Sequence, residues 1–228
     1  MIDATAGRRF GEGPLSRACA LVYTLLVVEL LLLTAVVPGL VGLVLLDRDA
    51  ANVPLAAACL LPAGPALSAA LYALHHRRRD LTDLHPAAAF WRGYRANVRG
   101  VVKLWVPWLV WLAVIGSSLG NLAAAGVPGW WAVLSVLIAL AATLWVANAL
   151  VITSLFAFRA RDVARLAAYF LTRSPRATLG NAGLLIVAAG VTLVASEAAS
   201  VLLASVLASM LLLNSRPMIA EVRDRFTT

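Results

Sequence analysis

The sequence predicts an all-α fold: a polytopic transmembrane helix bundle, six spans preferred over five, with amphipathic cytoplasmic connecting helices. Three observations predict it. Of the 228 residues, 62% are hydrophobic and 13% charged, against about 45–50% and about 25% in a soluble domain. Mean hydropathy is +0.88, and several apolar runs are long enough to cross a hydrocarbon core of about 30 Å. Basic residues gather at the ends of those runs and leave a net charge of +8. This composition excludes an ordinary soluble enzyme. It pairs the basic excess with anionic lipid headgroups and not with nucleic acid.

Residues 1–17 read as a cytoplasmic N-terminal tail carrying Arg8, Arg9 and Arg17, and residues 18–213 as a single transmembrane helical domain. The first span, Ala18 to Leu46, is too long for the apolar core of a signal peptide and lacks a small-residue cleavage site, so it is read as retained. Pro38-Gly39 is expected to kink it or end it early. The loop Asp47-Arg48-Asp49 leads to a second span, Val53–Leu74, interrupted by Leu61-Pro62-Ala63-Gly64-Pro65. Two prolines and a glycine in five residues cannot be a regular helix interior. At membrane depth the freed backbone groups need neighbouring protein or water.

A basic loop, residues 75–103, precedes the third span, Leu104–Ala125. The turn Gly126-Val127-Pro128-Gly129 leads into the fourth span, Trp130–Phe158, and a second basic loop covers 159–178. The apolar run Leu179–Leu213 is 35 residues long, about 52 Å as one helix at about 1.5 Å per residue. It is read as a hairpin turning near Ser196-Glu197-Ala198, with a polar C-terminal tail over 214–228. With six spans and both termini inside, 18 of the 19 basic residues are cytoplasmic, and with five only 15 are. The positive-inside rule therefore favours six, with an N-terminus on the cytoplasmic side of a bacterial cell membrane.

Both basic loops carry amphipathic patterns. At about 100° per residue, Phe90, Trp91, Tyr94, Val98 and Val102 share a sector of about 120°. Arg92, Arg95, Arg99 and Lys103 share another of about 80°. Such a segment lies at the interface, aromatics in the acyl boundary and guanidinium groups at phosphates. In the second loop Val163, Leu166, Ala167 and Phe170 oppose Arg161 and Arg165. The loops also share the pattern A-x4-R-x2-R-A, at Ala87, Arg92, Arg95, Ala96 and at Ala168, Arg173, Arg176, Ala177. These loops are either plain inside-positive connections or a docking surface for a partner.

Glu29 and Glu197 are the acids inside apolar runs, where a carboxylate costs at least about 2.5 kcal/mol. Each reads either as a coupling acid for a proton or cation, or as a protonated side chain bonded inside the bundle, or, for Glu197, as part of a hairpin turn at the outer surface. Asn121, Asn148 and Asn181 are expected to join helices, and Gly116-x-x-x-Gly120 to pack a neighbour closely. Trp105, Trp108, Trp111, Trp130, Trp131 and Trp145 read as interfacial belts. His75, His76 and His85 sit among Arg77, Arg78 and Arg79, which repel a cation. Cys19 and Cys59 read as free thiols. No nucleotide loop, nucleophile elbow or metalloprotease motif is present, so no catalytic residue, cofactor or metal is expected.

The stretch Leu61-Pro62-Ala63-Gly64-Pro65-Ala66-Leu67-Ser68-Ala69-Ala70-Leu71-Tyr72, followed by Ala89-Phe90-Trp91-Arg92-Gly93-Tyr94-Arg95-Ala96-Asn97, resembles the YesL family of bacterial integral membrane proteins, a family of unknown function. Ala149 to Phe158, Arg161 to Leu166 and Arg176 to Gly180 are similar to its actinobacterial members. The stretch Pro38–Pro54 departs from shorter members. The resemblance implies an accessory or assembly role beside carbohydrate ABC import. Importer permease subunits and further copies of the chain, as a homo-oligomer, are then candidate partners. Candidate partner- and lipid-binding residues are Phe90, Trp91, Arg92, Tyr94, Arg95, Asn97, Arg99, Arg161 and Arg165. The alternative is an autonomous small-solute transporter or channel built on the broken helix, using Pro62, Gly64, Pro65, Glu29 and Glu197.

Overall fold

A computed structural model describes residues 14–47, 49–77, 85–122, 124–194 and 202–226. Among these residues the chain is helical, with no strand. The helices are α1 (Pro14–Leu45), α2 (Val53–Cys59), α3 (Ala63–His75), α4 (Pro86–Gly120), α5 (Trp130–Leu155), α6 (Ala160–Arg173), α7 (Pro175–Val194), α8 (Ala204–Asn214) and α9 (Arg216–Phe226). Four segments are long and apolar enough to cross a membrane: Ala18–Leu45, Ala50–His75, Pro86–Gly120 and Trp130–Leu155.

The surface of these segments and of α7 is apolar and part of the interior is polar. Leu30, Val133 and Ile186 are each more than 60% exposed, whereas Ser68, Asn148, Ser154 and Asn181 are buried. In water an apolar surface of this extent would be a large sticky patch. In a bilayer it faces a solvent of its own polarity, and the buried polar groups become the adhesive.

Helix α3 sits at the centre, touching α1, α4, α5 and α8. Its composition permits that. Gly64, Ala66, Ser68, Ala69, Ala70 and Ala73 are all buried, so four neighbours approach its backbone. A β-carbon on Gly93 of α4 would come within 2.7 Å of Tyr72. Gly116 and Gly120 work as expected. Their faces meet Val53 and Ala50, so the start of the second apolar segment lies on α4.

Several expectations are corrected. Helix α1 does not end at Pro38-Gly39 but continues through it to Leu45. Tertiary packing offsets the local penalty there, because the Cys59 carbonyl sits on Gly39 and the Cys59 thiol on Gly42. The first amphipathic segment is not a separate interfacial helix. It is the N-terminal part of α4, continuous with the third span. The expected polar tail forms α9, which buries Met218, Ile219 and Val222. The second amphipathic segment is a separate helix, α6, bounded by extended Phe156 and by Ser174 before Pro175. Its apolar face (Val163, Ala167, Phe170) packs on the protein and not on lipid.

The final apolar run is two helices and not one. Gly180, early in α7, lies against the Asn214 amide at the end of α8, so the chain doubles back between them. The turn expected around Ser196-Glu197 falls outside the described residues. At the other sharp turn, Gly126 adopts φ +63°, a conformation that only glycine takes without strain.

Candidate functional site

The break in the second apolar segment has a specific chemistry. Pro62 and Pro65 lack N–H groups, so the carbonyls of Ala58 and Leu61 lose their ordinary helical donors. Shorter bonds close the turn. Leu60 N–H donates to Ala57 O, Leu61 N–H to Ala58 O and Ala63 N–H to Leu60 O, each at 3.1 Å. Pro65 falls in the first turn of α3, where a missing donor costs nothing. The Leu60 carbonyl takes a further bond from across the bundle, from the Trp105 indole Nε1–H on α4 at 3.0 Å. A β-carbon on Gly64 would lie 2.5–2.8 Å from three atoms of the Trp105 ring, so glycine is what admits the indole. Trp105 is therefore a buried cap on the break, not an interfacial anchor. Trp108 stacks beside it at a ring separation of 4.5 Å. Gly64 and Pro65 are buried by protein, whereas Leu61 on the other side of the break is exposed.

Glu29 is 9% exposed on α1. Its Oε2 accepts the Ser205 backbone N–H at 2.7 Å, in the first turn of α8. An anionic side chain there complements the positive end of the helix dipole. Its Oε1 is buried with no hydrogen-bond partner among the described residues. Glu197 lies outside the described residues, so no pairing of the two acids follows from the structure.

Other buried polar groups join helices. Ser68 Oγ on α3 and Ser154 Oγ on α5 are 2.8 Å apart. Asn97 Nδ2 on α4 donates to the Ser154 carbonyl at 3.3 Å. Asn181 Nδ2 donates to Asn148 Oδ1 at 3.5 Å. Trp145 Nε1–H donates to Ala164 O on α6 at 3.0 Å, so Trp145 also anchors to protein. Asn121 differs from expectation, because it donates to Ser117 O in its own helix. Trp111, Trp130 and Trp131 remain exposed, and the last two stack at 4.7 Å.

The candidate basic surface is only partly as expected. Arg92, Arg95, Arg99 and Lys103 are exposed in one stripe on α4, and Arg161 and Arg165 are exposed on α6. The two sets meet at a cleft lined by Gly100, Lys103, Arg159 and Arg161. Trp91 is exposed beside the stripe, and Tyr94 is half-buried. Phe90, however, is fully buried in the core and cannot meet lipid or a partner, and half-buried Asn97 donates to the Ser154 carbonyl. The buried face of α4 runs through Phe90, Gly93, Asn97, Val101 and Leu104. It is turned about 80–90° from the apolar sector counted at 100° per residue.

Three basic segments, 75–103, 159–178 and 214–228, come together at one end of the bundle. Arg173 on α6 lies 4.0 Å from Glu221 on α9, and Arg223 of α9 lines the same cleft as His75 and Arg77. The opposite end carries Asp47, Asp49 and the exposed tryptophan pair. Among the described residues no three histidine, cysteine or acidic side chains converge as a metal site.

An all-helical chain with four such segments, an apolar surface and one basic end has the character of a helical membrane protein. No protein-family model, curated protein or solved structure matches it.

Proposed function

We propose that the chain is an integral membrane accessory or assembly subunit that presents its basic end to a partner and carries out no reaction of its own. In this reading it crosses the bilayer six times, α7 and α8 forming the last pair, with the N-terminus and the basic end cytoplasmic. The supporting observation is the stripe Arg92, Arg95, Arg99 and Lys103 on α4. It is the rigid continuation of a membrane-crossing helix, with α6 set beside it. A stripe so fixed loses little entropy on docking. The similarity to the YesL family directs the partner towards a carbohydrate ABC importer, through its permease subunits.

The test is purification of tagged protein from its native host in mild detergent, with mass spectrometry of the associated chains. Importer permease and binding-protein chains are expected, and reversal of Arg92, Arg95 and Arg99 to Glu should remove them. Because the three side chains are exposed, elution and melting of the variant should be unchanged. Recovery of the chain alone, or only as its own oligomer, overturns the reading.

One observation favours the second reading, an autonomous transporter: Glu29 keeps one buried oxygen unpartnered among the described residues. Flux into proteoliposomes that Glu29→Gln and Glu197→Gln together abolish would establish it. The burial of Gly64 and Pro65 by protein weighs against a route there.

A further inference from the structure

The exposed face of α4 does not end at Lys103. At about 100° per residue, Arg92, Arg95, Arg99 and Lys103 share a sector of about 120° with Pro107, Val110 and Val114. All seven residues are exposed. One face of a single helix is therefore cationic up to Lys103 and apolar from Pro107 onward, a change completed within about 6 Å of helix axis. Where a helix enters a bilayer, such a step marks the boundary between headgroups and hydrocarbon.

A cleft of about 550 Å³ opens beside this step, between α4 and the start of α6. Lys103 lines it from one side, and Arg159 and Arg161 line it from the other. Buried contacts set the two walls. Val163, Ala167 and Phe170 hold α6 in the core, and a β-carbon on Gly100 would lie 3.1 Å from Thr153 of α5. None of the three cations pairs with a carboxylate among the described residues. Asp162, the acid of α6, follows Arg161 in sequence but does not line the cleft. Asp80 and Asp83 lie outside the described residues, between Arg77 and His85, which line a different cleft beside Arg92. Arg92 is about 16 Å along α4 from Lys103. Three cations gathered without a carboxylate repel one another, and an anion between them relieves that repulsion.

We infer that the α4–α6 cleft binds one anionic diacyl phospholipid, its phosphate held by Lys103, Arg159 and Arg161 and its acyl chains lying along Pro107, Val110 and Val114. Basic pockets between membrane helices take such headgroups. The apolar face that continues from Lys103 selects a lipid over a free phosphate or an acidic peptide, neither of which would use it. The inference rests on one part of the proposed function, that the chain is embedded in a bilayer with this end at the surface. It is independent of any importer. It divides the basic surface, with Lys103 and α6 engaging lipid and Arg92 and Arg95, further from the step, left for a partner.

The probe is phosphatidylglycerol, titrated onto the purified full chain in mild detergent and counted by native mass spectrometry, with phosphatidylcholine as the neutral comparison. One tightly held phosphatidylglycerol per chain is expected. Lys103→Gln with Arg161→Gln should weaken it about 30-fold, two cations' worth of headgroup attraction. Lys103→Arg, which keeps the charge, should retain it. Arg176→Gln with Arg216→Gln removes the same charge elsewhere on the basic end and should leave binding unchanged. Ala160→Trp, which fills the cleft without touching a charge, should weaken it comparably to the first pair. Melting and elution of each variant report folding separately. Equal loss from both pairs of charge-removing substitutions would mean diffuse surface attraction and would overturn the site. So would equal binding of the two lipids, binding unaffected by Ala160→Trp, or displacement of the lipid by glycerol 3-phosphate. Insertion into phosphatidylcholine nanodiscs tests membrane embedding alone, so its failure is distinguishable from failure of the lipid site.

Discussion

Replacing Gly64 with Ala should destabilise the protein even though alanine is the better helix former. The added β-carbon would stand 2.5, 2.6 and 2.8 Å from three atoms of the Trp105 indole. Carbon atoms rest at about 3.5–4.0 Å, so the ring must retreat by about 1 Å. That retreat carries Nε1 from 3.0 Å to about 4 Å from the Leu60 carbonyl, beyond hydrogen-bonding range. Overpacking costs about 1–3 kcal/mol, and a lost bond inside a membrane protein about 0.6–1.7 kcal/mol. The intrinsic gain from glycine to alanine returns at most about 1 kcal/mol. The net expectation is a loss of about 1–3 kcal/mol. Gly183→Ala is the control, because a β-carbon there meets nothing within 4 Å. It should be neutral or slightly stabilising. The assay is reversible unfolding in mixed micelles of increasing denaturing-detergent content, with tryptophan emission as the signal. In a double-mutant cycle, Gly64→Ala should cost almost nothing once Trp105→Ala has removed the ring, a coupling about equal to the single-variant loss. Equal stability of Gly64→Ala and Gly183→Ala, or additive losses in the cycle, would refute the reasoning.

Gly93→Ala should lose about 1–3 kcal/mol against Tyr72 in the same unfolding assay, and Tyr72→Ala should restore most of it. Glu29→Gln keeps an acceptor for the Ser205 N–H, whereas Glu29→Leu orphans it, so Leu should be less stable than Gln by about 1–3 kcal/mol. The reverse order would show that the carboxylate does not hold α8. With Cys19 and Cys59 replaced by Ser, a membrane-impermeant maleimide should label Val127→Cys in intact cells and Ala168→Cys only after lysis. The opposite pattern would invert the orientation.

Some helix boundaries were legible from local chemistry: the break at Pro62–Pro65 and the turn at Gly126 follow from residues that punctuate a helix. Pro38-Gly39 shows the limit of that reading, because packing against Cys59 carries α1 through it. The rotation of α4 was not legible. Counting hydropathy put Trp91 and Val102 on its apolar side, yet both are exposed. The buried face is centred on Gly93 and Asn97, which hydropathy counts as neutral and polar. Their value lies in what they meet, Tyr72 and the Ser154 carbonyl, from helices distant in sequence. Glu29 was legible as unusual but its partner was not, because a backbone N–H carries no residue signature. Helix α9 was hidden for a different reason. Arg216 and Arg223 were counted in a polar tail, although their spacing with Met218, Ile219 and Val222 already described an amphipathic helix.

The buried polar groups argue for where function resides. Ser68 joins α3 to α5, Asn97 joins α4 to α5, Asn181 joins α7 to α5, Trp145 joins α5 to α6, and Glu29 joins α1 to α8. Trp105 ties α4 to the break before α3. Each links a different pair of elements. A solute path would need polar groups of several helices turned towards one shared volume. These are instead spread through the bundle and bond one pair of elements each, which rigidifies it, although Glu29 Oε1, Asn181 Oδ1 and Trp108 Nε1 have no hydrogen-bond partner among the described residues. The cleft lined by Trp105, Trp108 and Asn181, of about 270 Å³, is almost wholly apolar. At the basic end α4 lies beside α6, and Arg173 of α6 approaches Glu221 of α9. For a bundle so joined, recognition at that end accounts for its architecture better than passage through its middle.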